Sequence, residues 1–324
     1  GSEVTVGTVT LIEDVSLSGS EIHAATVAGN FTLLGEDIRV DVTMDLATVG
    51  ISAEDGVTSE GVASYVVTGV TSGMNTGTFY VCNDTVGLET LGLQENAGYT
   101  VTFEGIKRGT SLLLEGDGVA DWNDLEKEVI NPDVTAIGAL VANFYTPNNP
   151  VAVVDINNQG VALGAASDGN SRVMTIDGVT VNNTRALVVN IADGSATLGN
   201  VSGNQAETLT ITNPDGDVAA WLSEEGQLTD IDASGVSGEF VLGVGVQAED
   251  TDLLDATTYE AATVDLSGVN LTGVDAIALA DGATLTLSGN QAEAFNEALV
   301  AAGDDITLNI VDFDNTFDAS LLPE

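Results

Sequence analysis

The sequence predicts a mainly β protein of two β-rich domains, and three observations carry that expectation. Short alternating or wholly apolar runs recur along the chain, among them ASYVVTGV (63–70), YTVTFEGI (99–106), RALVVNI (185–191) and DITLNIV (305–311). Period-2 runs of this length, rich in Val, Thr and aromatic residues, read as strands. The runs are broken at close intervals by Gly, Asn and Asp, with 37 glycines in 324 residues. Such regular punctuation suits a sandwich or a solenoid better than βαβ units. Finally, the apolar fraction of 44% gives the chain ample material for a core despite its charge.

The first half is expected to be a β-sandwich-like domain over residues 3–145. It includes a helix at 120–130 (ADWNDLEKEVI), whose apolar spacing is helical and which stops before Pro132. The stretch YTPNNP at 145–150 brackets two asparagines with prolines and marks a boundary near Thr146. Residues 150–324 are expected to form a second, repetitive β-rich domain, either solenoid or sandwich. A helix at 290–302 is expected within it, with Ala294, Phe295, Ala298 and Leu299 on one side and Gly303 as its cap. This half repeats itself weakly. An Ala-Asp-Gly ending at Gly194, and another at Gly282, each lead into an Ala-Thr-Leu strand and then into SGNQAE, at 202–207 and 288–293. Such repetition suggests stacked units that bury each other's apolar faces.

Charge bounds the function. The chain carries 50 Asp and Glu against 6 Lys and Arg, a formal charge of −44, and no Lys or Arg follows Arg185. Nucleic-acid binding needs cations on the protein, and anionic membrane surfaces repel such a chain. Self-repulsion of this size calls for salt or bound cations. Cys82 is the single cysteine, so no intrachain disulfide forms. No apolar run approaches the ~18 residues of a membrane helix, so membrane insertion is not expected. His23 is the single histidine, and P-loop, dinucleotide, zinc and nucleophile-elbow patterns are absent. The chain therefore reads as a non-enzyme.

The strongest local signal runs from Glu115 to Asp124. Set on the spacing of a calcium loop, Glu115, Asp117, Asp121 and Asp124 supply side-chain oxygens, Val119 supplies a carbonyl, and Gly118 takes the sharp turn. Leu113 stands at the first ligand position, where it cannot ligate. The expected cofactor is Ca²⁺, held by Glu115, Asp117, Val119, Asp121 and Asp124. The stretch DGVADWNDLEKEVINPD resembles thrombospondin type 3 and EF-hand-like calcium repeats of secreted proteins.

The second half resembles segments of bacterial surface-layer proteins and of giant, RTX-like secreted adhesins. The resemblance rests on VDLSGVNLTGVDAIALADGATLTLSGNQAEAFNEAL (264–299) and DDITLNIVD (304–312); the glycine-rich RTX calcium nonapeptide is absent. It implies an extracellular, cell-surface structural module that depends on Ca²⁺ and associates with itself or with other surface proteins or polysaccharides. Two alternatives stand beside it. One is a halophile's secreted protein whose acidity serves solubility. The other is a β-helix enzyme acting on polysaccharides.

Overall fold

A computed structural model describes residues 3–6, 9–10, 16–18, 21–24, 27–28, 32–44, 48–49, 58–70, 76–81, 87–94, 100–116, 122–123, 128–129, 134–157, 173–192, 194–247, 259–295, 297–301 and 305–312. The fold is mainly β. Most of its strands fall into two long parallel sheets that the chain visits in alternation. The first sheet takes in Thr90–Gln94, Ser111–Glu115, Ala152–Asn157, Ala186–Ala192, Thr208–Asn213, Asp230–Val236 and Asn270–Thr272, in chain order. The second takes in Thr100–Ile106, Val134–Phe144, Val173–Asn182, Ser195–Leu198, Val218–Leu222, Phe240–Val244, Ala276–Leu279 and Leu299–Ala301. Thr263–Asp265, Thr284–Ser288 and Thr307–Val311 make a third parallel sheet in the last turns. The chain is thus a parallel β-solenoid, each turn adding one strand to each face. A sandwich was expected for residues 3–145, but strands such as Thr58–Val70 and Thr100–Ile106 pair in parallel, within the same two sheets as the second half. Sandwich strands pair antiparallel.

A turn is typically 22 residues, the separation between stacked groups such as Thr212 and Asn190. Parallel partners lie ~4.8 Å apart, so each side chain has its counterpart from the next turn directly above it. Inward positions therefore build continuous apolar columns. Tyr65, Leu91, Leu112, Val154, Val189 and Ile211 form one along the first sheet, and all are buried. Val101, Leu140, Val179 and Val201 form its counterpart on the second. Each such aliphatic side chain contributes about 1.5–3 kcal/mol by leaving water. Phe79 links the two sheets, its ring centroid 5.6 Å from Tyr65 and 5.8 Å from Phe103.

The expected boundary at Thr146 falls at a corner of the solenoid. Ladders join strands on either side of it, Ser111–Glu115 to Ala152–Asn157 and Val134–Phe144 to Val173–Asn182. Asn149, in the expected linker, is buried and donates to the Thr184 hydroxyl at 3.0 Å. The helix expected at 120–130 is replaced, where described, by two short antiparallel strands that pair Trp122 with Val129 and Asn123 with Glu128. Trp and Val favour strands, and here β pairing prevails over helical spacing. The expected 290–302 helix is shorter, Gly289–Phe295; Leu299–Ala301 then joins the second sheet. Ala292 and Phe295 are buried and Ala294 is exposed; Gly303 lies outside the described residues.

The duplicated phrases sit at different places in the turn. The first Ala-Asp-Gly joins a first-sheet strand to a second-sheet strand; the second joins a second-sheet strand to the third sheet. The first SGNQAE makes a tight turn, and the second opens the helix. Ala206 and Ala292, at the same place in the two phrases, are both buried. The repeat is therefore a corner device reused on different faces.

Corner geometry fixes two glycines. Gly194, Gly216 and Gly238 stack on successive turns, and a Cβ on Gly216 would meet the Gly194 carbonyl carbon at 2.8 Å. A Cβ on Gly238 would meet the Gly216 carbonyl oxygen at 2.6 Å and overlap the Asp217 carboxylate. Gly216→Ala and Gly238→Ala should each destabilise the protein by about 1–3 kcal/mol, read as a fall in the urea midpoint. Gly268→Ala, where a Cβ meets nothing within 4 Å, should leave the midpoint within about 0.5 kcal/mol of the parent.

Candidate functional site

The expected calcium loop is described only at its base. Glu115 ends the strand Ser111–Glu115, is 4% exposed, and stands in register with Asn157. Gly116 N–H donates to the Asn157 carbonyl at 3.1 Å. Asp117, Val119, Asp121 and Asp124 lie outside the described residues. The Asn157 side-chain oxygen is buried without a hydrogen-bond partner, beside a buried carboxylate. The side-chain oxygens of Glu115 and Asn157 are donors of the kind that a hard cation takes. Among the described residues, no group of three or more His, Cys, Asp or Glu is placed to hold a metal ion. Of the other acidic clusters, Asp215 and Asp217 stand exposed at a corner, and Glu249, Asp250 and Asp252 are outside the described residues. His23 lies in the strand Glu21–Ala24, in register with Asp41.

The outer faces carry ladders of amides and carboxylates, which sequence reading missed. On the first sheet Asn190 donates to Asp155 at 2.9 Å, and Thr212 donates to Asn190 at 3.0 Å. On the second, Asn143 donates to Glu104 at 2.6 Å and Asn182 donates to Asn143 at 2.8 Å. The run continues through Asn204, whose N–H donates to Asn182 and whose side-chain oxygen accepts from Asn183. From Thr90 onward, no register pair in the described ladders sets one carboxylate beside another. The carboxylates are flanked by Asn, Thr and apolar residues instead. Nearer the N-terminus Glu3 does pair with Glu21, but Arg39 stands on the other side of Glu21. A 22-residue recurrence could have found only the steps from Asn182 to Asn204 and from Asn190 to Thr212, because the other steps span 35 or 39 residues.

The corners use carboxylates as caps for backbone N–H groups. Asp217 accepts from Glu239 N–H at 2.8 Å, and Asp275 accepts from Phe240 N–H at 2.8 Å. A second short repeat, Asp-x-Ser-Gly-Val, occurs at 232–236 and 265–269. In both copies Ser hydroxyl and N–H bonds to the aspartate hold its pKa below 3.8, because they favour the charged form. The last cation in the chain, Arg185, pairs with Glu207 at 2.6 Å. Between the corners that follow, Leu187, Val201, Ala206, Leu209 and Leu228 line a shallow indentation edged by Glu224 and Glu225.

Comparison with protein-family models, with curated proteins and with solved structures gave no match for this chain. No helix among the described residues is long and apolar enough to cross a membrane.

Two predictions follow from the ladders and caps. Asn190→Asp puts a second carboxylate in register beside that of Asp155 and should lower stability by about 0.5–1 kcal/mol in low salt. Most of that loss should be recovered in ~1 M NaCl, where screening is short-ranged. Ser234→Ala removes the larger of the two bonds to Asp232. A carboxylate with a depressed folded pKa stabilises above its unfolded value and loses that contribution as pH falls. The variant should thus unfold slightly more easily than the parent at pH 7, by at most about 0.5 kcal/mol. The gap should close as pH drops through and below 3.8.

Proposed function

We propose that this chain is a non-enzymatic extracellular structural module, part of a surface layer, adhesin or filament, whose fold is stabilised by cations and by Ca²⁺ above all. The observation that carries this reading is the pairing of a continuous solenoid with an exterior whose charge is not balanced within the chain. From residue 186 on, no Lys or Arg exists to neutralise the carboxylates. The ladders keep carboxylates apart on the sheets, while the corners still expose Asp215, Asp217, Glu239 and Asp275. Solvent cations, bound metal or a second molecule supply what the chain lacks. A solenoid adds turns without changing its cross-section, so it suits a role as a rod or spacer. Glu115 and Asn157 would hold Ca²⁺ together with the acidic residues of the loop that follows, and the ion would supply positive charge to a buried carboxylate.

Thermal unfolding in CaCl₂ and in NaCl at equal ionic strength tests the reading. A higher midpoint in Ca²⁺, reversed by chelation, is the expected result. Glu115→Gln and Asn157→Leu should shrink the difference between the two salts. Equal midpoints in both would sink the calcium reading and leave acidity as adaptation to salt.

A further inference from the structure

We propose that one edge of the solenoid is a self-complementary docking surface, on which a second copy of this chain binds antiparallel about a two-fold axis. The inference names the partner in the assembly role proposed above and rests on that reading. The edge is the corner where the chain passes from the second sheet to the first. Five successive corners of it, following the corner at 87–89 that carries the exposed Glu89, are 107–110, 145–151, 183–185, 203–207 and 223–229, stacked by backbone bonds from Tyr145 N–H to Ile106, Arg185 N–H to Asn149, Glu207 N–H to Arg185 and Thr229 N–H to Glu207.

Charge is sorted along this edge. The first three of these five corners hold Lys107, Arg108 and Arg185, three of the six cations in the chain. The next two hold Glu207, Glu224 and Glu225 and no cation. Shape is sorted in the same order. The cationic half presents Tyr145, which is 57% exposed, whereas most large apolar side chains among the described residues are covered. The acidic half presents a shallow indentation of mixed polarity between Ala206 and Leu228, with Glu224 and Glu225 on its rim.

An antiparallel copy brings these halves together. With the two-fold axis beside Arg185, Tyr145 of one copy stands over the indentation of the other. Arg108 then comes within a turn, ~5 Å, of Glu224 on the second copy, and the reverse contacts follow by symmetry. Guanidinium and carboxylate make paired charge-assisted bonds, and an exposed tyrosine covered by a partner is a typical interface anchor. Arg185 is already paired to Glu207 and sits at the pivot. Overall repulsion between two acidic chains is screened beyond ~8 Å at physiological salt, while the contacts across the edge remain local.

Sedimentation in ~0.15 M NaCl tests the inference. The unaltered chain should dimerise with concentration. Tyr145→Asp and Arg108→Glu should each weaken the dimer at least about tenfold. Arg108→Glu combined with Glu224→Arg in the same chain should restore it, since symmetry brings the exchanged charges together again. All three positions are solvent-facing, and circular dichroism with the unfolding midpoint verifies that each variant is folded. A monomer at every concentration overturns the inference, as does a dimer indifferent to both single changes or a double variant that stays monomeric. Retention of a monomer on an anionic polysaccharide through Arg108 also overturns it and assigns the edge to a glycan. The Ca²⁺ dependence of the midpoint, measured on the same samples, reports separately on the proposed function.

Discussion

In-register parallel stacking is the constraint on which everything else in this molecule depends. Each side chain has its counterpart, typically 22 residues away, directly above and below it at ~4.8 Å. Inside, this rewards repetition, because apolar residues stack into columns such as Leu91, Leu112, Val154 and Val189. Outside, it penalises repetition of charge. A carboxylate repeated every turn would sit a few ångströms from its copies. The exterior resolves this with interleaved amides and hydroxyls, as at Asp155, Asn190 and Thr212.

The same constraint explains how so acidic a chain can be ordered. Carboxylates are dispersed on the sheet faces and gathered at the corners, where they cap backbone N–H groups and face solvent on more than one side. Asp217 and Asp275 act in this way on neighbouring strands of one corner. The corners must also let backbones approach closely, and Gly216 and Gly238 are the residues that permit it. Fold stability and surface charge are thus set by one stacking geometry. The cations the chain lacks must come from outside it or from another molecule.

Reuse of corner phrases shows where local sequence stops deciding structure. SGNQAE turns tightly after Ser202 because the first-sheet strand Thr208–Asn213 follows at once and pairs on both sides. The same residues after Ser288 form a helix, in the turn beyond Asn270–Thr272, the last described strand of the first sheet. There Gln291 turns its amide to the Leu266 and Val269 carbonyls, both at 2.8 Å. Available ladder partners, not the six residues, choose between the two outcomes.

The sequence by itself determined the mainly β character, the strands at RALVVNI and YTVTFEGI, and the charge imbalance, because period-2 patterning and composition are local. It also carried the corner repeats, though not their placement. Of the five residues expected to ligate Ca²⁺, only Glu115 lies among the described ones, buried and in register with Asn157. The choice of solenoid over sandwich and its extension through residues 3–145, the continuity of the ladders past Asn149, the pairing of Trp122 with Val129 and the sorted charge over five corners of one edge were decided by tertiary structure. Each depends on which residues come together one turn apart. With turns interrupted by insertions, as between Ala152 and its partner Leu187, 35 residues on, no fixed sequence period discloses that register.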